Sequence, residues 1–164
     1  MFYFLLILLA GGIVAADQIT KALVVANIPM NGHVDAIPGL FHLTHIHNTG
    51  AAFSMLEGQR TFFLIITFLF LAAVVYCTVK KIFSKPYLWI FAAISGGAIG
   101  NLIDRMLYGY VVDMIALDFI DFAIFNVADI FVTCGGVALC VYVLFFDKED
   151  KPQKKEEPAD DGTV

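Results

Sequence analysis

Four stretches of this sequence are long and apolar enough to cross a lipid bilayer, which takes about 20 helical residues. Residues 2–16 are uninterrupted and continue through a polar turn (Asp17, Gln18, Lys21) to about residue 28. Residues 61–79 carry no charge, residues 87–103 none before Asp104, and residues 122–146 only Asp129. In lipid the backbone must satisfy its own hydrogen bonds, and the short alternating segments of a membrane β-barrel are missing. The expected fold is therefore an all-α membrane protein with four transmembrane helices. Only 15% of the 164 residues are charged and 60% are apolar, whereas soluble domains carry about 25% charge. Of the 25 charged residues, 11 lie in the last 18. Residues 1–146 are thus expected to form one membrane domain, and residues 147–164 a disordered charged tail. No basic patch offers a nucleic-acid partner.

Orientation follows from the lysines. The link between the second and third spans holds Lys80, Lys81 and Lys85, and the tail adds Lys148, Lys151, Lys154 and Lys155. The connections 29–60 and 104–121 offer only Arg60 and Arg105. The positive-inside rule places both termini and the lysine link in the cytoplasm, with the two longer loops outside. Val14-Ala15-Ala16 resembles a signal-peptide cleavage site, but no basic segment precedes it, so the first span is expected to stay. In the first outer loop, turn residues (Pro29, Asn31, Gly32, Pro38, Gly39) precede a partly alternating run, 41–47. A small extracytoplasmic β-rich loop between helices 1 and 2 is expected there. Residues 106–125, apolar and aromatic, are expected to lie along the membrane surface.

An ionisable residue inside a membrane segment costs roughly 2.5–3.5 kcal/mol on insertion scales, so the depth of each is informative. At 1.5 Å per residue, Asp17 lies about 22 Å along the outward-going first span, with Lys21 one turn later. Asn101, Asp104 and Arg105 occupy the outer end of the third span, and Asn126 and Asp129 the first turn of the fourth. The inner halves are apolar. That layering argues for a site opening at the outer leaflet and against a conducting path. Asp17 and Lys21, four apart, also suit an ion pair that fixes a helix end. Asp104 and Arg105 face different sides and need separate partners, Arg105 having headgroups within reach as well. Gly96, Gly97 and Gly100 have the spacing of close helix packing, as do Gly135 and Gly136.

Several carboxylates without an obvious nucleophile suit acid–base chemistry. Two neighbouring carboxylates share a proton, so one activates water while the other protonates the substrate. The spacing leaves the pair open among Asp17, Asp104, Asp113, Asp118, Asp121 and Asp129. Asp118 and Asp121 read as solvated surface residues, and Asp129, the costliest to bury, stands out singly.

Five blocks then occur in order: Asp17-Gln-Ile-Thr-Lys21, Asn48-Thr-Gly-Ala-Ala-Phe53, Gly96-Gly-Ala-Ile-Gly-Asn-Leu-Ile-Asp-Arg105, Val111-Val-Asp113 and Phe125-Asn-Val-Ala-Asp129. Together they closely resemble the bacterial lipoprotein signal peptidase (signal peptidase II) family. The resemblance implies an intramembrane aspartic endopeptidase of the bacterial cytoplasmic membrane, active at its outer face. Its substrates are diacylglyceryl-modified prolipoproteins, cut just before the lipid-bearing Cys. The resemblance makes Asp113 and Asp129 the catalytic pair. It surrounds them with Asn48, Gly50, Asn101, Asp104, Arg105, Asn126 and Ala128, with Asp17 and Lys21 as supports. It also implies sensitivity to globomycin-type inhibitors; contact with membrane lipid, a monomer, and no cofactor or metal are expected. The loop 27–58 is then expected to cover the site, with residues 108–125 beside it.

Three other readings are weaker. His42, His45 and His47 lack a metal-ligand spacing, and strand alternation sets His42 opposite the other two. Ser95, followed by Gly96, is the only rhomboid-like nucleophile, but it lies below the polar rim, where a helical hydroxyl bonds to the preceding turn. A small transporter or assembly partner would use the same polar cluster to bind other spans, yet the chain has no internal repeat. Cys77, Cys134 and Cys140 read as buried apolar packing.

Overall fold

The structure, a computed structural model, describes residues 1–50 and 55–146. The tail 147–164, and Ala51, Ala52 and Phe53 of the second sequence block, lie outside the described residues. Four helices carry the chain: α1 (Phe2–Asn27), α2 (Arg60–Val79), α3 (Lys85–Leu107) and α4 (Val127–Phe145). All four have the length and hydropathy of membrane spans. Their large apolar side chains, such as Phe4, Ile7, Leu69 and Leu144, point outward, as lipid-facing surfaces do.

Helices α1, α3 and α4 pack together, and glycine decides how closely. A Cβ on Gly96 would fall 2.9 Å from the Ala10 carbonyl of α1. One on Gly97 would meet the Ala128 carbonyl of α4, and one on Gly100 would fall 2.6 Å from Asp17 Oδ2. The small-residue spacing in α3 thus brings both neighbours to its backbone. Gly135 is crowded by Ile94, whereas Gly136 faces open space. Helix α2 has no buried residue and stands at the periphery.

At the end away from the α2–α3 link lies a three-stranded antiparallel sheet in the order β1 (His33–Ile37), β2 (Phe41–Asn48), β3 (Val111–Leu117). The expected β-rich loop supplies β1 and β2. Strand β3, however, comes from the segment expected to lie along the membrane surface. It is almost wholly buried, and Phe125 covers its outer edge through hydrogen bonds with Met114 and Ile115. A run apolar on both faces fits a doubly covered strand. The lone Asp113 obscured that pattern in the sequence. Residues 122–126 are not helical either, so the fourth helix begins at Val127 and not at Phe122.

A register shift between Leu43 and Ile46 breaks the alternation of β2. His42 Nδ1 lies 2.6 Å from Asp118 Oδ1, and its ring meets His33. His45 is buried with Nδ1 2.9 Å from the Ile28 carbonyl, and its ring lies 5.1 Å from that of His47. Asp118 is therefore paired, not simply solvated, while Asp121 is exposed. The cysteine reading also changes. Cys77 is half-buried, and Cys134 and Cys140 are exposed on the face of α4, because a bundle this small buries only a stripe of each helix. Ser95 is buried, but among the described residues its hydroxyl finds no partner, not even the expected carbonyl one turn back.

Candidate active site

The innermost layer of the site is an ion cluster on α1 and α3. Lys21 Nζ lies 2.8 Å from Asp17 Oδ2 and 2.9 Å from Asp104 Oδ2, and all three side chains are buried. Burial of such charges requires that every group be matched. Asp17 Oδ1 accepts the Ala128 N–H at 2.9 Å, and Asp104 Oδ2 accepts the Val112 N–H at 3.1 Å. Gln18 donates to Asp104 Oδ1 at 2.9 Å and to the Gly100 carbonyl at 3.1 Å. One polar cluster thus ties α1 to α3, to the start of α4 and to β3. Asp17 and Lys21 do form the i, i+4 pair, but it is one edge of this larger cluster.

Above it, three asparagines carry the order outward, and each amide is oriented by a group that can only donate. Lys21 Nζ donates to Asn101 Oδ1 at 2.9 Å, which turns the Asn101 amide nitrogen toward Asp129 Oδ1, 2.7 Å away. The Gly50 N–H donates to Asn48 Oδ1 at 2.8 Å, so Asn48 Nδ2 reaches Asp113 Oδ2 at 2.7 Å. The Asp129 N–H donates to Asn126 Oδ1 at 3.0 Å, leaving Asn126 Nδ2 to bond Asp113 Oδ1 at 2.7 Å and Asn101 Oδ1 at 3.1 Å. Asn126 is the N-cap of α4, and its own N–H donates back to Asp129 Oδ2 at 3.2 Å, completing a capping box.

Asp113 and Asp129 are therefore held from both sides by the same Asn126. Burial is the main reason the Asp113 carboxyl rises from its ordinary value near 3.8 to about 6. The Asn48 bond opposes the rise, the charge of Asp129 adds to it, and Asn126 and Lys21 oppose it. Contrary to the expectation that Asp129 is the costliest carboxylate to bury, Asp17 and Asp113 are buried more deeply and Asp129 is half-buried. Strand β3, covered on both faces, accounts for Asp113.

Both carboxylates face a cavity of about 410 Å³, whose wall also includes Asn48, Asn101 and Arg105. Arg105 donates from Nη2 to the Gly50 carbonyl at 2.9 Å, and its guanidinium rests on the Phe63 ring at 4.6 Å. The guanidinium is thus held by an aromatic face and a loop carbonyl while it lines the cavity. The rest of the wall is Thr133 and the apolar residues Val111, 122–125, Ile130 and Cys134.

Of the residues expected at the site, Asn48, Asn101, Arg105, Asp113 and Asp129 share this wall. Asp17, Lys21, Gly50, Asp104, Asn126 and Ala128 stand behind it. Ala128 is fully buried under Gly97 and Gly100 and meets the site only through its N–H. Residues 122–125 fall in the segment expected beside the site, whereas the α4 face Ile130–Thr133–Cys134 was read simply as span. Gln18 was read as part of a polar turn. An amide one position from a membrane-embedded aspartate was the available signal for its role. The expected cover, 27–58, is built around the β1–β2 hairpin, and its segment 51–54 lies outside the described residues.

The comparisons with known proteins bear on the family and the fold. The family model described as "Signal peptidase (SPase) II" matches residues 9–145. A "Lipoprotein signal peptidase" of Streptococcus thermophilus is 48% identical over 136 residues, 81% of this chain and 87% of that protein. One of Enterococcus faecalis is 41% identical over 150 residues, 90% of this chain and 92% of its own length. A bacterial membrane enzyme solved by the in meso method at 2.3 Å resolution superposes with a TM-score of 0.83 at 35% identity, covering 93% of this chain and 94% of that one. A second, at 1.9 Å resolution, gives 0.78 at 36% identity, covering 87% and 93%. The family match takes in most of α1 and every later element, and on that ground this multi-pass membrane protease belongs to the signal peptidase II family.

Proposed function

We propose that the protein is an aspartic endopeptidase that removes signal peptides from diacylglyceryl-modified prolipoproteins, cutting just before the lipid-bearing Cys, with Asp113 and Asp129 as its catalytic pair. The observation that carries this reading is the placement of both carboxylates on one cavity wall, bridged by Asn126. In the proposed reaction, water lies between the two acids, which share one proton. The ionised carboxylate takes a proton from the water as its oxygen attacks the scissile carbonyl carbon. The protonated partner gives its proton to the carbonyl oxygen. Collapse of the tetrahedral intermediate breaks the C–N bond: the leaving nitrogen takes a proton from the carboxyl that had acted as base, and one hydroxyl of the diol returns its proton to the other carboxylate, restoring the shared proton. Arg105 donates to a substrate carbonyl or a lipid oxygen, and Asn48 and Asn101 hold the acids in register.

The peptidase unit is assigned to residues 1–146. The lysine distribution supports an orientation with both termini in the cytoplasm and the sheet on the outer face of the bacterial cytoplasmic membrane. A substrate whose signal helix lies in the bilayer and whose scissile bond lies near the outer surface then meets the acids at their own depth. The apolar wall along the outer end of α4 gives it a lipid-side approach. Both acids come from one chain, so a monomer suffices, and a globomycin-type inhibitor would occupy the same cavity.

The test is cleavage of a diacylglyceryl-modified signal-sequence peptide by wild type, Asp113→Asn, Asp129→Asn and the double variant. Each single variant should lose about 1,000-fold or more, and the double little beyond that, since cooperating groups are not additive. Substantial turnover by either single variant would refute the pair.

A further inference from the structure

The wall made by Asn48, Asp113 and residues 122–124 has a second side. A smaller cavity of about 270 Å³ lies against it, completed by Ile46, His47, Thr49 and Glu57. The two cavities share Asp113; of the other charged groups, Asp129 and the Arg105 cation line only the larger and Glu57 only the smaller. Thr49 holds Glu57 in place, its hydroxyl donating to Glu57 Oε1 at 3.2 Å while its carbonyl accepts the Gly58 N–H at 3.3 Å. His47 forms another part of the wall, with its ring stacked on Tyr110 at 3.7 Å. Burial, and to a lesser degree the neighbouring His45, lower the His47 pKa, which disfavours a cation there and leaves Glu57 and the shared Asp113 as the charged groups of this cavity.

We infer that the smaller cavity receives the stretch of substrate on the mature side of the scissile bond, and that Glu57 binds the ammonium group created there by cleavage. This inference rests on the proposed peptidase function. Hydrolysis breaks the C–N bond, adds the water oxygen to the carbonyl carbon and its hydrogens to the two fragments, and at neutral pH leaves one carboxylate and one ammonium. The membrane-embedded signal segment belongs in the larger cavity, beside Ile130, Thr133 and Cys134, so its new carboxylate forms on the Arg105 side. The opposite fragment, with its new amino terminus, is left on the Glu57 side. Beyond the acid pair itself, the cation on one side and the Glu57 carboxylate on the other match the charges of the two products and give the substrate a direction through the site.

The experiment uses the full chain in detergent–lipid micelles. It measures inhibition of cleavage by the mature-side product, a diacylglyceryl-Cys peptide with a free amino terminus, against the same peptide N-acetylated. Wild type should bind the free-amine form about three- to fivefold more tightly, the scale of a partly exposed ion pair. Glu57→Gln should abolish that preference, Glu57→Asp should restore part of it, and added salt should weaken it. No amine preference in wild type, or an undiminished one in Glu57→Gln, would overturn the inference. Cleavage by wild type in the same assay reads the peptidase function separately, so failure of one is not mistaken for failure of the other.

Discussion

Asn126 and Asp129 cap each other: the side chain of each accepts the backbone N–H of the other, at 3.0 and 3.2 Å. The same Asn126 amide then reaches Asp113 on β3. A helix N-cap is therefore also the clamp between the two acids, and local helix chemistry and the geometry of the site cannot be altered separately.

Asn126→Ala should consequently show two losses together. The cap alone contributes about 1 kcal/mol, and Asp113 and Asn101 each lose a donor. The melting temperature in detergent should fall, and kcat should drop by about 100-fold or more with a smaller change in KM, because the acids lose their alignment more than the cavity loses its shape. Wild-type kcat in a folded Asn126→Ala protein would contradict the clamp.

The Asp17–Lys21–Asp104 cluster predicts a steep and partly reversible cost. Lys21→Met leaves two buried carboxylates without their shared cation and should destabilise the fold by about 3–5 kcal/mol. Adding Asp17→Asn removes one of the stranded charges and should recover part of that loss. Equal melting temperatures for the single and double variants would show that Asp17 and Lys21 are not coupled.

Gly100→Ala places a methyl group 2.6 Å from Asp17 Oδ2. It should push α1 from α3 and destabilise by about 1–3 kcal/mol, with loss of activity as the ion cluster shifts. Gly136→Ala, facing open space, should leave the melting temperature unchanged or slightly raised. The contrast in thermal unfolding between these two substitutions on neighbouring helices checks the close approach directly.

The raised Asp113 pKa sets a pH signature. An acid with a folded-state pKa of about 6 and an ordinary value near 3.8 is penalised in the folded state only when ionised. The penalty is absent below about pH 4, grows between the two values, and is complete above pH 6, where it amounts to about 3 kcal/mol. Asp113→Asn removes it. The stability of Asp113→Asn relative to wild type should therefore rise as pH increases from 4 to 7, whatever fixed offset the lost acceptor introduces. A difference independent of pH would show that Asp113 titrates as an ordinary surface acid.

The four spans and the level at which polar residues collect were legible in the sequence because lipid enforces them. A helix in hydrocarbon needs an unbroken apolar run, and each polar residue within it stands out by its cost. Asp17, Asn101, Asp104 and Asn126 could thus be placed at one depth before any partner was known. Strand β3 could not, since a buried edge depends on what covers it, here Phe125 from a segment read as helix.

Taken alone, the sequence determined the membrane helices, the shared depth of the charged residues and, through five ordered blocks, the family. Tertiary structure decided the partners: Lys21 with both Asp17 and Asp104, Asn126 between Asp113 and Asp129, and the two cavities divided by Asp113. Depth is a property of each residue in its solvent and is written along one helix. A hydrogen bond or a cavity wall joins side chains from separate elements, and those distances exist only once the glycines of α3 have brought α1 and α4 into contact.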